Sequence, residues 1–223
     1  MDEPLPCQKK FRAVRSLRGS IESFAQSPEI AMLPLVLASS SPYRRELLER
    51  LRLPFTWSAP AIDESRHPQE PAEQLVRRLA LEKARALTPQ HRNHLIIGSD
   101  QVAVLGNQIL GKPHDFERAR SQLLAASGAS VSFLTGLAVL NSATGQFQVD
   151  CVPFTVHFRD LDEARVTRYL EAEQPYDCAG SFKAEGLGVS LFRATEGSDA
   201  TSLVGLPLIR LVDMLLAEGM QIP

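Results

Sequence analysis

Several large protein classes are excluded by what this chain has little of. It holds three cysteines, Cys7, Cys151 and Cys178. They are too few and too scattered for a disulfide framework, and no CxxC or Cys/His pair has zinc spacing. No run approaches the roughly 18 to 20 apolar residues of a membrane helix, and the N-terminus lacks the apolar region of a secretion signal. The composition therefore fits a soluble protein of the reduced cytoplasm with no membrane partner. Neither sign of charge dominates, with 24 Lys and Arg against 26 Asp and Glu and a net charge of −2. A surface committed to duplex nucleic acid carries a marked excess of base, and no basic stretch is interleaved with aromatics as in single-strand binders. No stable nucleic-acid partner is expected. Also missing are the Walker GxxxxGK[ST], a GxGxxG after a strand, GxSxG, and HExxH spacing among the histidines, so ATPase-type, dinucleotide-binding, serine-hydrolase and zincin readings lose their main support.

What is present is the composition of an ordinary globular core, 44% hydrophobic and 22% charged over 223 residues, a length that suits one large domain or two closely joined lobes. Residues 1–31 read differently. Lys9, Lys10, Arg12, Arg15 and Arg18 are scattered among serines and four acidic residues, with only isolated apolar positions. This pattern predicts a loose N-terminal extension, or translation that begins at Met32, ahead of a domain over residues 32–223.

From Leu33 strand and helix patterns alternate. Leu35–Ala38 reads as a strand. Ser39-Ser40-Ser41-Pro42 then leads into a helix through Leu53, with Ser41 as cap, Pro42 at the first helical position and Leu47, Leu48 and Leu51 on one face. A short strand over Phe55–Ala59, a long helix over Pro71–Leu87 and an apolar strand from Leu95 through Val104 follow, with Gly106-Asn107 as its turn. Asp115–Ala126 reads as helix, Val131–Leu140 and Gln146–Phe158 as a hairpin, and Asp162–Ala172 as helix. A Gly-broken stretch over Gly180–Phe192 and a single closing helix over Leu203–Glu218 complete the chain. Helices and strands in alternation, with hairpins among them, argue for an α/β domain on a mixed sheet.

Three features resist explanation by packing. Arg44 and Arg45 stand in the first turns of a helix, the end whose dipole disfavours cations. An anion would resolve the conflict, because serine hydroxyls, helix-start amides and guanidiniums together make a phosphate cradle. On spacing alone a solvated arginine pair is equally compatible. Lys83 falls near the middle of the apolar stripe formed by Leu75, Val76, Leu79, Ala80 and Leu87; it must snorkel or find a counter-charge. Asp100 lies inside an apolar strand, where an unpaired carboxylate costs several kcal/mol or protonates. Glu64 and Lys112 sit on short loops after strands, where functional groups tend to be displayed. Each alone is weak, but together they supply the carboxylates and cations that a metal-assisted phosphoryl site requires.

Those residues, in that order, resemble the Maf family of nucleoside triphosphate pyrophosphatases. The resemblance runs from Leu35 to about Leu216 through six motifs: the Leu37–Arg45 segment LASSSPYRR, Asp63-Glu64, Glu82-Lys83-Ala84, Gly98-Ser99-Asp100-Gln101, Gly111-Lys112-Pro113 and Ala179-Gly180-Ser181-Phe182. It implies an elongated mixed β-sheet flanked by helices, in two closely joined lobes with a cleft, like that of inosine triphosphatases. The implied activity is hydrolysis between the α and β phosphates, giving a monophosphate and pyrophosphate, with Mg²⁺ or Mn²⁺. Asp100 would be the proton acceptor, and Glu64 and Asp100 the metal ligands. Ser39, Arg44, Arg45, Lys83 and Lys112 would bind phosphates. The partner implied is a small-molecule nucleotide, and a homodimer is implied by the resemblance only.

Three positions bear on the base. Family members acting on dTTP and UTP typically have Arg after the Ser-Pro, Thr after the Ser-Asp and Gln near the final Gly-rich loop, where this sequence has Tyr43, Gln101 and Glu185. The combination resembles the subfamily acting on 7-methyl-GTP, with Tyr43 in place of the more familiar Trp. Methylation at N7 makes guanine cationic, so stacking on Tyr43 gains ~0.5 to 2 kcal/mol. Glu185 can accept from the N1 and N2 hydrogens while offsetting the charge. The bland alternative is that Tyr43 packs on its own helix and Glu185 pairs with Lys183. Two rival functions stay open on the sequence: a pyrophosphatase for dTTP, UTP, CTP or other modified nucleotides, and a non-enzymatic nucleotide-binding regulator of cell division.

Overall fold

The computed structural model describes residues 32–222, so the expectation for residues 1–31 lies outside the described residues. One mixed sheet runs through the domain. Its strands are β1 (Leu35–Ala38), β2 (Phe55–Ser58), β3 (Leu95–Leu105), β4 (Gln108–Leu110), β5 (Ser130–Asn141), β6 (Phe147–Phe158) and β7 (Phe192–Gly197). Their order is β2-β1-β3-β5-β6-β7, with β4 pairing the far end of β3. β1 is parallel to both β2 and β3, and the remaining pairs are antiparallel.

One break in the pairing prepares the site. β1 ends at Ala38 opposite Gly98, and β4 takes up the same side of β3 only at Ala103. Ser99 to Val102 therefore pair with β5 alone. A cleft opens there, beyond the carboxyl end of a parallel strand, where α/β sheets commonly bind ligands.

The helices are α1 (Pro42–Glu49), α2 (Ala72–Ala86), α3 (Phe116–Ala125), α4 (Glu163–Glu173), α5 (Ala200–Val204) and α6 (Leu208–Ala217). α2 covers one face of the sheet with Leu75, Val76, Leu79, Ala80, Lys83 and Ala84 buried. On the opposite face two apolar clusters form. One packs Leu47, Leu48, Leu211 and Leu215 against Leu35, Leu37 and Ile97; the other joins α3 and α4 to Phe133, Phe154, Val156 and Phe158. The short α5 lies over the polar side chains of Ser99, Gln101 and Thr135.

Differences from the sequence reading have local causes. The first helix stops at Glu49 instead of Leu53, because Arg52 takes a left-handed φ of 54° and Pro54 disfavours helical backbone at Leu53. The single closing helix is two. Gly205, at φ 115°, ends α5, and Pro207, which has no N–H to donate, precedes α6. β7 follows the Gly-broken stretch, which folds as two 3₁₀ turns, Ala179–Ser181 and Leu187–Leu191. The strand was hidden because it is an edge with one buried residue, Phe192, and no alternating pattern. Among the described residues no helix is long and apolar enough to cross a membrane.

Candidate active site

The cleft encloses about 570 Å³ and takes its walls from the β1–α1 turn, α2, the bare edge of β3, the loop after β4 and residues 177–179. At its floor, Lys83 and Asp100 answer each other. Lys83 is 6% exposed and Asp100 7%, and Lys83 Nζ donates to Asp100 Oδ1 at 2.6 Å. The inward lysine and the strand carboxylate are thus one buried ion pair, which removes the cost either would carry alone. Glu64 reaches the same ammonium at 3.1 Å from the solvent side, with 57% of its side chain exposed.

The first lip is the turn from β1 into α1. Ser41 caps the helix by accepting from the Arg44 amide at 3.4 Å, and Ser39 Oγ accepts from the Ser41 amide at 3.1 Å. Arg44, which also lines the cleft, donates from Nε to the Gly205 carbonyl at 2.8 Å and from Nη1 to Ser39 Oγ at 3.5 Å. Burial lowers the Arg44 pKa from its ordinary value, while Asp100 and Glu64 pull it back upward. Lys112, on the opposite lip, makes no ion pair among the described residues. Arg45 is placed elsewhere. Its guanidinium lies 4.2 Å from the Trp57 ring centroid on the outer side of α1, beside Glu46 and Glu49 and away from the cleft.

Tyr43 and Gln101 both line the cleft. Burial, and then the neighbouring Cys178, Asp177 and Glu185, push the Tyr43 hydroxyl up to about 12, so the ring stays a neutral phenol at working pH. Glu185 is exposed on the rim, within electrostatic reach of Tyr43 and Cys178. It does not pair with Lys183, whose ammonium lies 3.8 Å from Glu173. Of the residues singled out in the sequence, Ser39, Tyr43, Arg44, Glu64, Lys83, Asp100, Gln101 and Lys112 therefore meet in one cleft. Glu185 stands beside it and Arg45 outside it.

Comparison with known proteins decides the family. The family model described as "Maf-like protein" matches residues 34–218. The chain belongs to this family. A protein of Pseudomonas fluorescens (strain Pf0-1) named "7-methyl-GTP pyrophosphatase" is 77% identical over 192 residues, 86% of this chain and all of that protein. Proteins with the same name from Pseudomonas aeruginosa and Alcanivorax borkumensis are 71% identical, over 86% of this chain and all of that protein, and 62% identical, over 85% and 96%.

In this Maf-like chain the sequence reading missed the residues that hold the site in place. His114, Asp177 and Cys178 also line the cleft, and burial pushes the Cys178 thiol up to about 12. Glu70 is nearly buried and clasps Arg78 through two hydrogen bonds, 2.7 Å to Nε and 2.8 Å to Nη2. Arg78 also donates to the Ser65 carbonyl at 3.0 Å, and the His67 amide donates to Glu70 at 3.1 Å. These bonds tie the loop that carries Glu64 to α2. A sequence signal existed, an acid eight residues before an arginine, but nothing in the spacing distinguishes it from surface charge.

Hydrogen bonds from Arg78 hold the Glu70 carboxyl at about 2, below its ordinary 4.5. A pKa depressed on folding gives stability that is complete above the ordinary value and lost as pH falls through the lowered one. Glu70→Gln should therefore be less stable than the natural chain at pH 7, and the gap should narrow between pH 4.5 and pH 2. Urea melts at pH 7 and pH 3 check this; an unchanged gap would mean that the clasp does not contribute through its charge.

Proposed function

We propose that this protein is a nucleoside triphosphate pyrophosphatase that hydrolyses 7-methyl-GTP to 7-methyl-GMP and pyrophosphate, keeping a modified nucleotide out of nucleic acids. The observation that carries the reading is the buried Lys83–Asp100 pair at the floor of a cleft whose mouth holds Arg44 and Lys112. The names of the relatives support the substrate.

Asp100 is the proton acceptor. Lys83 holds one carboxylate oxygen, Oδ1, at 2.6 Å, and the second is not bound to Lys83. It takes a proton from water as the oxygen adds to phosphorus, and the α–β anhydride bond breaks to release pyrophosphate. Arg44, Lys83 and Lys112 bind the phosphates, and Ser39 contacts them at the helix entrance. Arg44 suits the task because its Nε is already occupied by Gly205, which orients the planar fork toward the cleft.

A divalent cation, Mg²⁺ or Mn²⁺, belongs to this reading. Asp100 and Glu64 would hold it, two hard oxygen donors brought to one ammonium, each with an oxygen to spare. No group of three or more metal-ligating side chains occurs among the described residues. That fits Mg²⁺, which typically takes one or two carboxylates and completes its shell with phosphate oxygens and water. When bound, the ion supplies neutralisation of charge on the phosphates.

Tyr43 stacks on the base, and Glu185 offsets the positive charge of the N7-methylated ring. Pyrophosphate release from 7-methyl-GTP, GTP, dTTP, UTP and CTP with Mg²⁺ or Mn²⁺ tests the reading, and 7-methyl-GTP should lead. Glu185→Gln should cut kcat/KM for 7-methyl-GTP about tenfold while changing GTP little, because it removes the charge that offsets the methylated ring and leaves the contacts that unmodified guanine makes. An unchanged preference would remove Glu185 from base recognition, and a preference for dTTP or UTP would retain the enzyme but overturn the assigned substrate.

A further inference from the structure

Gln101 lies directly across from Thr135 in the β3–β5 register, and its amide is held from three sides. Nε2 donates to Ser202 O at 2.7 Å, Thr135 Oγ1 at 3.0 Å and Leu203 O at 3.1 Å. Two of these partners are backbone carbonyls, which only accept, so the NH₂ end must face them and Oε1 must face away. The Thr135 hydroxyl spends its own proton on Ser202 O at 2.8 Å, so it too can only accept from Gln101. These carbonyls lie at the C-terminal end of α5, where Ser202 O also accepts from the Gly205 amide at 3.0 Å. The end of α5 and Thr135 thus fix an otherwise freely flipping amide in one orientation. Oε1 takes no hydrogen bond among the described residues, and Gln101 lines the cleft.

We infer that Thr135 is a positioning residue that locks Gln101 as a hydrogen-bond acceptor for a donor on the nucleoside, either the exocyclic amine of the base or the 2′-hydroxyl of the ribose. This rests on the proposed nucleotide substrate and adds the polarity of the contact and the residue that imposes it. An amide free to rotate would greet a donor or an acceptor alike; a pinned one rejects a ligand that offers no donor, because the acceptor is then left unpaired. Thr135 is fully buried and reaches no substrate itself, so its effect runs through Gln101.

The experiment measures kcat/KM for 7-methyl-GTP against two analogues, 7-methylinosine triphosphate, which lacks the exocyclic amine, and 7-methyl-2′-deoxyguanosine triphosphate, which lacks a ribose hydroxyl. The natural chain should disfavour one analogue by about tenfold or more, and which one identifies the donor. Thr135→Val should shrink that ratio several-fold, Thr135→Ser should restore it, and Thr135→Val should add nothing to Gln101→Leu. A ratio that Thr135→Val leaves intact overturns the positioning role, and failure of both analogues to discriminate overturns the acceptor.

A readout without substrate separates this from failure of the pyrophosphatase reading. The side-chain NH₂ of Gln101, assigned by NMR through its loss in Gln101→Leu, should exchange slowly with solvent in the natural chain and quickly in Thr135→Val. Fast exchange in both overturns the lock, and slow exchange in both means that the α5 carbonyls hold the amide without Thr135, which overturns its positioning role, whatever the enzyme does.

Discussion

Asp100→Asn should lower kcat for 7-methyl-GTP by about 10² to 10⁴-fold, the range that a positioned proton acceptor contributes. The substitution keeps the size and shape of the side chain while removing its charge and basicity, and with them the carboxylate proposed to hold the metal. Asparagine can still accept from Lys83 through its side-chain carbonyl, and Lys83 keeps Glu64 at 3.1 Å, so the ammonium is not left alone in the core. KM should move less than kcat if, as proposed, phosphate binding rests with Arg44, Lys83 and Lys112. Steady-state kinetics beside a thermal melt separate chemistry from folding. A variant that melts normally and keeps kcat within threefold of the natural chain would remove Asp100 from the chemical step; a fall in kcat that merely tracks unfolding would leave the pair with a structural role only.

Gly136→Ala and Gly98→Ala should each destabilise the fold by about 3 kcal/mol or more, at or above the upper end for overpacked sites. α2 rides unusually low on the sheet. A Cβ at Gly98 would fall inside the Ala80 carbonyl and also meet the Ala84 amide at 3.1 Å, and one at Gly136 would fall inside the Val76 carbonyl. Val76 and Ala80 are one helical turn apart, and Gly136 pairs with Asp100 across the strands, two residues from Gly98 along β3. The two glycines therefore make a groove that seats the helix, and the next residue outward on its buried face that carries a charge is Lys83.

A backbone carbonyl cannot rotate away as a side chain would, so an added methyl must lift the helix. Lifting it also draws Lys83 off Asp100, and activity should fall with stability. In a domain of this size 3 kcal/mol corresponds to roughly 6 to 12 °C in Tm. Urea midpoints for both variants, with Gly111→Ala as a stability reference because nothing lies near its added Cβ, provide the measurement. Midpoints unchanged from the natural chain would mean that α2 can move without cost.

The sequence by itself determined the alternation of elements, because Leu47, Leu48 and the α2 stripe repeat at helical spacing and the β5–β6 hairpin flanks a clear turn. It also singled out most of the residues that meet in the cleft, since a buried lysine and a carboxylate in an apolar strand are conspicuous wherever they pack. It could not separate Arg44 from Arg45. Both are cations in the first turns of α1, and only the packing of that helix sends one toward Gly205 and the cleft and the other onto Trp57. Nor could it show that Lys83 and Asp100, seventeen residues apart, are each other's counter-charge, because that depends on how closely α2 approaches β3, which two glycines on different strands decide together. Thr135 was equally silent, a threonine in a strand pattern like any other, since its role exists only where α5 brings its final carbonyls over Gln101. Local periodicity is written along the chain; the orientation of a side chain between elements distant in sequence is fixed by the space those elements leave.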